Sequence, residues 1–321
     1  MSRAAYDWAN IIFDSASAGQ VWSHILNKLQ KVATKAQLSD LHNEIKVADR
    51  LLAESAWPLW QAYLDSAPRT VTTLSQWWGK RSSYGRAVLI LDALSLRELP
   101  ALLAGAQAHG ITPSRVTVTG SEVPSDTTHF AKALGSPSRA KLANNNTPAR
   151  FIFGQAVYTD VLTLPFADCV GTLPHERHIF LWHSWLDDQI HLYHKTPKQI
   201  YHSAPRMLQS DDFWKLIKRL CQGRHLLITS DHGYVESKRF TTETDKQVTK
   251  ALREALGASR YKKAQTSWAH HFMPPLVIKA NRYHVVMGQR KWKVQGGFPD
   301  LCHGGLSLLE VAVPFVELPP Q

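Results

Sequence analysis

Several acidic residues, histidines and one threonine stand where predicted strands end, which is where a metal site could form. The clearest case is LLITSDHGYV, residues 226–235, an apolar strand pattern that runs into Asp231, His232 and Gly233. Neighbouring side chains on a regular strand point to opposite faces, but Gly233 permits a turn that lets both reach one cavity. The plainer alternative is a strand end followed by a turn.

Two further candidates lie nearer the N-terminus. Asp92 ends the apolar run RAVLILDAL, and Thr127 stands before a helical pattern in SEVPSDTTHFAKAL. Either side chain could simply cap a helix. A hydroxyl at a helix start is also well placed to hold a phosphate, because free backbone N–H groups point there.

The remaining candidates lie in the second half of the chain. Asp187 and His191 are four residues apart in WLDDQIHLYH, so they share a face if this stretch is helical, although Asp188 leaves the register open by one. His303 precedes two glycines in LCHGGLSLLE, and glycines let the backbone approach a ligand closely. Taken alone, an exposed acid with a chance histidine and an ordinary loop histidine explain these residues equally well.

Together the candidates are three aspartates, three histidines and one threonine. Open α/β sheets bind ligands at the carboxyl ends of their strands. Imidazole and carboxylate ligands suit Zn²⁺, with Mn²⁺ or Mg²⁺ as alternatives where oxygen dominates. Seven ligands are too many for one tetrahedral ion, so the pattern predicts two divalent metal ions, the arrangement used for in-line phosphoryl displacement.

The elements that would position these residues alternate between strands and helices from Arg86 onward. The strand patterns are RAVLILDAL, RVTVTGSEVP, HIFLWHS, HLLITSDHG and EVAVPFVELPP, and PPLVIKANRYHVVMG offers two more β segments. Helical patterns such as DDFWKLIKRLCQG lie between them, which predicts an α/β fold with a central sheet sandwiched by helices. Residues 1–80 are predicted to be helical, and SAPRTVTTLSQWWGKRSSYG is a connection with a short helix. We therefore divide the chain into a helical segment, 1–80, and an α/β domain, 81–321.

Composition sets the remaining expectations. The chain has 321 residues, 44% hydrophobic and 20% charged, which is typical of a globular protein. Its net charge of +11 favours a polyanionic partner such as nucleic acid, although solubility alone could explain it. Three widely spaced cysteines favour the reducing cytoplasm over a disulfide framework. No apolar run is long enough to predict a membrane span.

The order Asp, Thr, Asp-x-x-x-His, Asp-His, His resembles the alkaline phosphatase superfamily, in particular its nucleotide pyrophosphatase/phosphodiesterase branch. The flanking residues resemble the PglZ domain. LILDALSLRE is similar to its first metal-binding strand, PSDT to its nucleophile segment and ITSDHGY to its Asp-His pair. HGGLSLLEVAVPFVEL is the most specific match. The resemblance covers about residues 81–321 and leaves 1–80 unexplained.

The resemblance implies a ligand set for each ion. One ion would be held by Asp187, His191 and His303, and the other by Asp92, Asp231, His232 and the hydroxyl of Thr127. Thr127 matches the P-S-x-T pattern of the nucleophile, with Ser125 and Thr128 as alternatives. The glycine that often precedes the histidine of Asp-x-x-x-His is Ile190 here.

The resemblance also implies a function. The expected activity is a two-metal phosphodiesterase, a nuclease or oligonucleotide hydrolase, in a bacterial anti-phage system of the BREX type. Arg139 and Lys141 are candidate phosphate contacts, whereas His129 and Trp185 could stack on a base or fill the core. Other defence proteins could dock on residues 1–80, whose tryptophans would form an interface or pack on the core: Trp8, Trp22, Trp57 and Trp60.

Two other functions stay open. One is a scaffold subunit of a defence complex, with a silent or partner-activated metal site. The other is a phosphomonoesterase or mutase, which is less favoured because about 60 residues separate Thr127 from Asp187, too few for a full cap domain.

Overall fold

The computed structural model describes residues 3–35, 38–193, 196–264, 268 and 271–321. The helices are α1 (Arg3–Phe13), α2 (Ala18–Lys35), α3 (Leu38–Glu54), α4 (Trp57–Gln61), α5 (Tyr63–Ser66), α6 (Thr70–Trp78), α7 (Leu99–Ala108), α8 (Thr127–Ala133), α9 (Phe166–Cys169), α10 (Trp185–Leu192), α11 (Pro197–Leu208), α12 (Asp211–Cys221), α13 (Lys246–Leu256) and α14 (Leu308–Val311). Within these ranges, no helix has both the length and the apolar composition needed to cross a bilayer.

The strands are β1 (Gly85–Leu91), β2 (Arg115–Gly120), β3 (Tyr158–Leu162), β4 (His178–His183), β5 (Arg224–Thr229), β6 (Val235–Glu236), β7 (Thr241–Thr242), β8 (Tyr261–Lys263), β9 (Val277–Ala280), β10 (Tyr283–Val286), β11 (Arg290–Lys291), β12 (Leu301–Cys302) and β13 (Ala312–Leu318). Six of them form the central sheet in the order β2-β13-β5-β1-β4-β3. β1 runs parallel to β4 and β5, whereas β13 is antiparallel to β2 and β5. The predicted α/β class is confirmed.

Both faces of this sheet are covered, which explains why β1 is a continuous apolar run. Leu89 and Leu91 belong to a core cluster with the N-terminal helices, α7 and α12. Val88 and Ile90 belong to a second cluster with α6 and α8. A strand buried on both faces has no polar side to alternate with.

The helices of residues 1–80 share the larger core with the sheet. The Trp22 ring lies 4.8 Å from Trp60 and 4.9 Å from Tyr63, and the Tyr63 hydroxyl donates to the Ser121 carbonyl at 3.0 Å. Trp8 is fully buried in the same cluster. These tryptophans therefore pack in the core, as does half-buried Trp57, and the boundary at residue 80 stays a prediction.

The described residues between 235 and 302 form a smaller module between the Asp-His pair and His303. It contains the three-stranded sheet β8-β10-β9, and α13 packs beside it in a separate apolar cluster. The two β segments expected from PPLVIKANRYHVVMG are β9 and β10. They belong to this module and not to the central sheet.

Asp49 joins α3 to the C-terminal segment of the α/β domain. Its carboxylate accepts hydrogen bonds from the Leu308 backbone N–H at 2.8 Å and from the Gln289 amide at 2.6 Å. Burial raises the pKa of Asp49 to about 7, and these hydrogen bonds oppose the shift only in part. Because the folded pKa lies above the unfolded value, stability is lost as pH rises between about 4 and 7.

We expect Asp49→Asn to increase the free energy of unfolding more at pH 8 than at pH 5, by roughly 2 kcal/mol. The asparagine side chain keeps an oxygen that accepts from the Leu308 N–H. Its NH₂ group can donate to the side-chain oxygen of Gln289 once the Gln289 amide rotates. Urea titrations of both proteins at the two pH values measure this difference. An equal effect of the substitution at both pH values would contradict a carboxylate that is costly to ionise.

Candidate metal centre

The structure brings the predicted site residues to one edge of the sheet. Asp92 directly follows β1, and the Asp231-His232 pair follows β5. Thr127 opens α8, Asp187 lies in the first turn of α10 after β4, and His303 follows β12. The carboxyl ends of parallel neighbouring strands meet here, as expected for an open α/β sheet.

Thr127 lies at the centre of the first group of side chains. Its hydroxyl is 2.7 Å from Asp231 Oδ2, 3.2 Å from Asp92 Oδ1 and 3.3 Å from His232 Nε2. The two aspartates and the histidine are fully buried. One ligand atom from each of these three lies within 4.8 Å of the others, a spacing that suits a shared metal ion.

A second group adjoins the first and shares His232. Ligand atoms of Asp187, His232 and His303 also lie within 4.8 Å of one another. The rings of His232 and His303 stack at 4.3 Å. Asp187 Oδ1 and His303 Nδ1 are buried and have no hydrogen-bond partner among the described residues. Since an unpartnered buried polar atom costs about 1–3 kcal/mol, both atoms fit the role of ligands to a cation.

His191 lies at the edge of the second group. Its Nε2 is 3.3 Å from Asp187 Oδ2, and its ring centre is 6.5 Å from that of His303. It does not belong to either compact set of ligand atoms. Its predicted role as a ligand therefore stays a prediction.

Three carboxyl groups, those of Asp92, Asp187 and Asp231, lie close together in the buried centre and shift the pKa values of their neighbours. Burial, then the charges of Asp231 and Asp187, raise the pKa of Asp92 well above its usual range. Burial opposes a charge on His232, but the three carboxylates outweigh it and raise the pKa to about 9. Burial and the charge of His232 lower the pKa of His303 to about 4. Divalent cations would relieve this crowding of carboxylates.

The tautomer of His232 also suits a ligand. Its Nδ1 lies 3.0 Å from the Gly233 carbonyl, which can only accept, so Nδ1 carries the proton. Nε2 faces Asp92, Asp231 and Thr127, and it is the nitrogen that a metal ion would bind in place of a proton. A ring nitrogen that donates to a backbone carbonyl is the usual second contact of a metal-binding histidine.

The alternatives that the sequence left open have other contacts. Ser125 is buried and its hydroxyl bridges the backbone of Gly304 and Gly305, at 3.1 and 3.0 Å. Thr128 is exposed. Asp188 accepts a hydrogen bond from the Ser184 hydroxyl at 2.5 Å. The geometry thus favours Thr127 over its neighbours, and Asp187 over Asp188.

The two capping alternatives are wrong. The N-cap of α8 is Asp126, whose carboxylate accepts from the His129 N–H at 2.8 Å, and Thr127 is the first helical residue. The N-cap of α7 is Glu98 and not Asp92. Asp92 instead accepts a hydrogen bond from the Trp182 indole at 3.1 Å and forms an ion pair with Arg139.

Arg139 and Lys141, the predicted phosphate contacts, differ in their surroundings. Arg139 reaches Asp92, whose carboxylate also faces Thr127, whereas Lys141 is exposed. Trp182 was not predicted, because nothing in the apolar strand HIFLWH distinguishes an indole that donates to a ligand from one that fills the core.

A buried ion pair supports the loop that carries His303. Arg260 donates to both oxygens of Glu310, at 3.1 and 2.7 Å. The same carboxylate accepts from the Gly305 N–H at 2.8 Å and the Ser307 hydroxyl at 2.6 Å. The sequence signal for this role was present but unused: Glu310 is an acid inside the apolar run LLEVAVPF.

The module of residues 235–302 reaches the start of α8 through Tyr261, whose hydroxyl donates to Asp126. Tyr261, His191 and His303 line a cavity of about 530 Å³ beside the candidate metal centre. His129 packs edge-on against Tyr283 at 4.5 Å. Half-buried Trp185 packs against Phe166 at 5.4 Å at the margin of the larger core, which favours the core role over base stacking.

Comparison with known proteins gives a family. A family model described as BREX system PglZ alkaline phosphatase-like domain matches residues 122–318, more than half of the chain. Murine ectonucleotide pyrophosphatase/phosphodiesterase 5 is similar in structure, with a TM-score of 0.45 and 15% identity over 74% of this chain and 88% of that one. Phosphonoacetate hydrolase from Sinorhizobium meliloti 1021 gives a TM-score of 0.39 and 14% identity over 74% and 91%. No curated protein matches the sequence.

Proposed function

Because the chain belongs to the PglZ family of BREX alkaline phosphatase-like domains, we propose that it is a two-metal phosphodiesterase with Thr127 as nucleophile. The observation that carries this proposal is the position of the Thr127 hydroxyl, within 3.3 Å of Asp92, Asp231 and His232. A threonine hydroxyl is a poor nucleophile at neutral pH unless a base or a metal activates it.

The residues present fit two ions. Asp92, Asp231, His232 and the Thr127 hydroxyl would hold one ion, and Asp187, His191 and His303 the other. A mixed set of carboxylates and imidazoles favours Zn²⁺, with Mn²⁺ or Mg²⁺ as alternatives. Such ions supply Lewis-acid activation of the hydroxyl and neutralise negative charge on the phosphate.

The chain's own groups account for the rest of the reaction. The Thr127 proton leaves along its 2.7 Å hydrogen bond to Asp231 Oδ2 as Oγ1 attacks phosphorus. The bond from phosphorus to the opposite ester oxygen breaks, and that oxygen takes up a proton from solvent as the alcohol departs. Water then attacks phosphorus and releases a proton to solvent, the bond from phosphorus to Oγ1 breaks, and Asp231 returns the first proton to Oγ1 as the phosphate monoester leaves. Arg139, beside Asp92, is placed to contact a phosphate oxygen.

We infer the substrate class from charge and size. The cavity of about 530 Å³ beside His191 and His303 falls in the usual range for small-ligand pockets, so it can hold a nucleotide unit. A net charge of +11 favours a polyanion. A diester within an oligonucleotide or nucleic acid meets both conditions, and a substrate of that kind suits an anti-phage system.

A second candidate function is assembly with other defence proteins. The observation in its favour is on α1, where Tyr6 and Phe13 are 61% and 54% exposed although both are large and apolar. Because Trp8, Trp22 and Trp60 are buried, any docking surface on residues 1–80 would use such exposed side chains instead. Measuring both metal content and turnover separates the two roles, because a protein that binds two metal ions but hydrolyses no ester favours assembly over catalysis.

Metal content tests the proposed centre without relying on activity. We expect purified wild-type protein to retain two zinc ions per chain, measured by elemental mass spectrometry after dialysis. Asp187→Ala should lose one of them. The matched control is Asp188→Ala, which removes only a hydrogen bond from Ser184 and should keep both. Loss of metal from the control but not from Asp187→Ala would contradict the assignment.

A further inference from the structure

A second polar cavity lies apart from the predicted metal ligands, between α3 and the module of residues 235–302. Its volume is about 220 Å³, and its charged or titratable lining comprises His42, Lys46, Arg97, Glu236, Lys238 and Arg239. It thus joins the N-terminal helices, the loop after β1 and the segment after β6. None of the seven candidate site residues lines it.

The lining carries four cationic side chains and a single carboxylate. Lys238 pairs with Asp300 at 3.1 Å, and Arg239 pairs with Glu236 at 3.1 Å. Across the described ranges, no ion pair joins Lys46 or Arg97 to a carboxylate. The cavity therefore has an excess of positive charge that the protein does not neutralise.

Arg97 is the unusual member of the lining because it is buried. Its side chain packs over the Tyr234 ring at 4.6 Å and donates to the Tyr234 carbonyl at 3.0 Å. The adjacent Glu98 carboxylate accepts instead from the Tyr234 hydroxyl at 2.6 Å and the Ser95 N–H at 3.0 Å. Glu98 is close enough to interact electrostatically with Arg97, but burial raises the pKa of this carboxyl to about 7, so it is only partly ionised at neutral pH. A buried guanidinium that is incompletely neutralised is costly, so this position favours an anion.

His42 provides a second, independent indication. Arg97 Nε can only donate, so His42 Nε2, at 2.6 Å, accepts and the ring proton of the neutral imidazole lies on Nδ1. Burial and the charges of Arg97 and Arg239 lower the pKa of His42 to about 3, so the ring is neutral at pH 7. His42 is only 4% exposed, and its Nδ1 has no partner within the described part of the chain. A buried N–H donor without an acceptor is costly, and an anion in the cavity that His42 lines could supply the acceptor.

We propose that this cavity is an anion site that binds a phosphate group. Guanidinium and ammonium groups recognise phosphate through charge-assisted hydrogen bonds, and the His42 N–H adds a neutral donor. At about 220 Å³ the cavity is smaller than typical ligand pockets, which start near 300 Å³, so it accepts a phosphate and not an entire nucleotide. Inorganic phosphate and the phosphate of a nucleotide whose sugar and base extend outward share this chemistry.

Occupancy of the site has a structural consequence. Arg97 holds the carbonyl of Tyr234, two residues beyond His232, while His42 and Lys46 belong to α3. A phosphate here would tie the N-terminal helices to the segment that follows the Asp-His pair. It would therefore stabilise the fold by an amount that rises with the logarithm of the phosphate concentration once this exceeds the dissociation constant.

Isothermal titration of the full chain with inorganic phosphate tests the proposal, in buffer with a chelator so that metal-bound phosphate does not contribute. We expect one saturable site per chain. Lys46→Ala, an exposed position that should leave the fold intact, should weaken binding at least ten-fold. Lys215→Ala, an exposed lysine on α12, is the matched control and should leave the dissociation constant unchanged.

Two further arms complete the experiment. Arg97→Met should abolish binding, and circular dichroism of this variant checks that it is folded. Titration with AMP identifies the phosphate source: binding tighter than phosphate indicates a nucleotide, and binding of phosphate alone indicates the free ion. Absence of a saturable site, or equal effects of Lys46→Ala and Lys215→Ala, would overturn the proposal. Neither result would bear on Thr127, so this test is separate from that of the proposed enzyme.

Discussion

Thr127→Ala is expected to lower kcat for phosphodiester hydrolysis on the order of 10⁴-fold or more, because it removes the attacking oxygen. Among the hydroxyls that the sequence offered, that of Thr127 faces Asp92, Asp231 and His232 together. The residual rate would come from water acting in the same centre. Steady-state hydrolysis of bis-p-nitrophenyl phosphate in the presence of Zn²⁺ or Mn²⁺ measures the change.

The chain provides a matched control one residue away. Thr128 carries the same side chain on the same helix but is exposed, so Thr128→Ala should keep kcat within about three-fold of wild type. Thr127→Ser retains a hydroxyl and should recover part of the activity. A full loss in Thr128→Ala, with turnover preserved in Thr127→Ala, would show that the wrong threonine has been chosen.

Arg260→Met has the largest expected effect on stability, a loss of roughly 3–5 kcal/mol in the free energy of unfolding. Arg260 and Glu310 are both buried, and the guanidinium also donates to the carbonyls of Gly288 and Arg290. Removing the cation leaves the Glu310 carboxylate without its counter-charge in the core. Urea unfolding monitored by tryptophan fluorescence gives the difference.

Two comparisons isolate the ion pair. Arg253→Met changes the same residue type at an exposed position of α13 and should cost less than about 0.5 kcal/mol. Adding Glu310→Gln to Arg260→Met removes the unpaired charge and keeps an acceptor for the Gly305 N–H, so it should recover part of the loss. If the double variant is less stable than Arg260→Met, the penalty does not come from a buried charge.

The sequence alone predicted most of the central sheet, because strands buried on both faces give continuous apolar runs. It also predicted that the residues at the strand ends would meet, since parallel topology requires it. β3 was missed: YTDVL sits at the edge of the sheet, is only partly buried and contains a threonine and an aspartate. An edge strand of this kind has no pattern that distinguishes it from a loop.

The contacts that support the site were harder to predict. Trp182 and the Arg260–Glu310 pair act across 90 and 50 residues of sequence, and such distances are set by tertiary packing. The cavity at Arg97 also depends on α3 lying against the segment after β6. The spacing of residues within one segment carries no information about such long-range contacts. The HGGLSLLEVAVPFVEL motif, by contrast, identified the family.

The most direct measurement of the central claim is turnover of bis-p-nitrophenyl phosphate, beside p-nitrophenyl phosphate, by wild-type protein and Asp231→Ala. The account predicts that the diester is hydrolysed with Zn²⁺ or Mn²⁺, that a chelator stops the reaction, and that Asp231→Ala is inactive. Failure to hydrolyse either ester by a protein that carries two metal ions would contradict an autonomous phosphodiesterase. That result would favour the assembly role on residues 1–80.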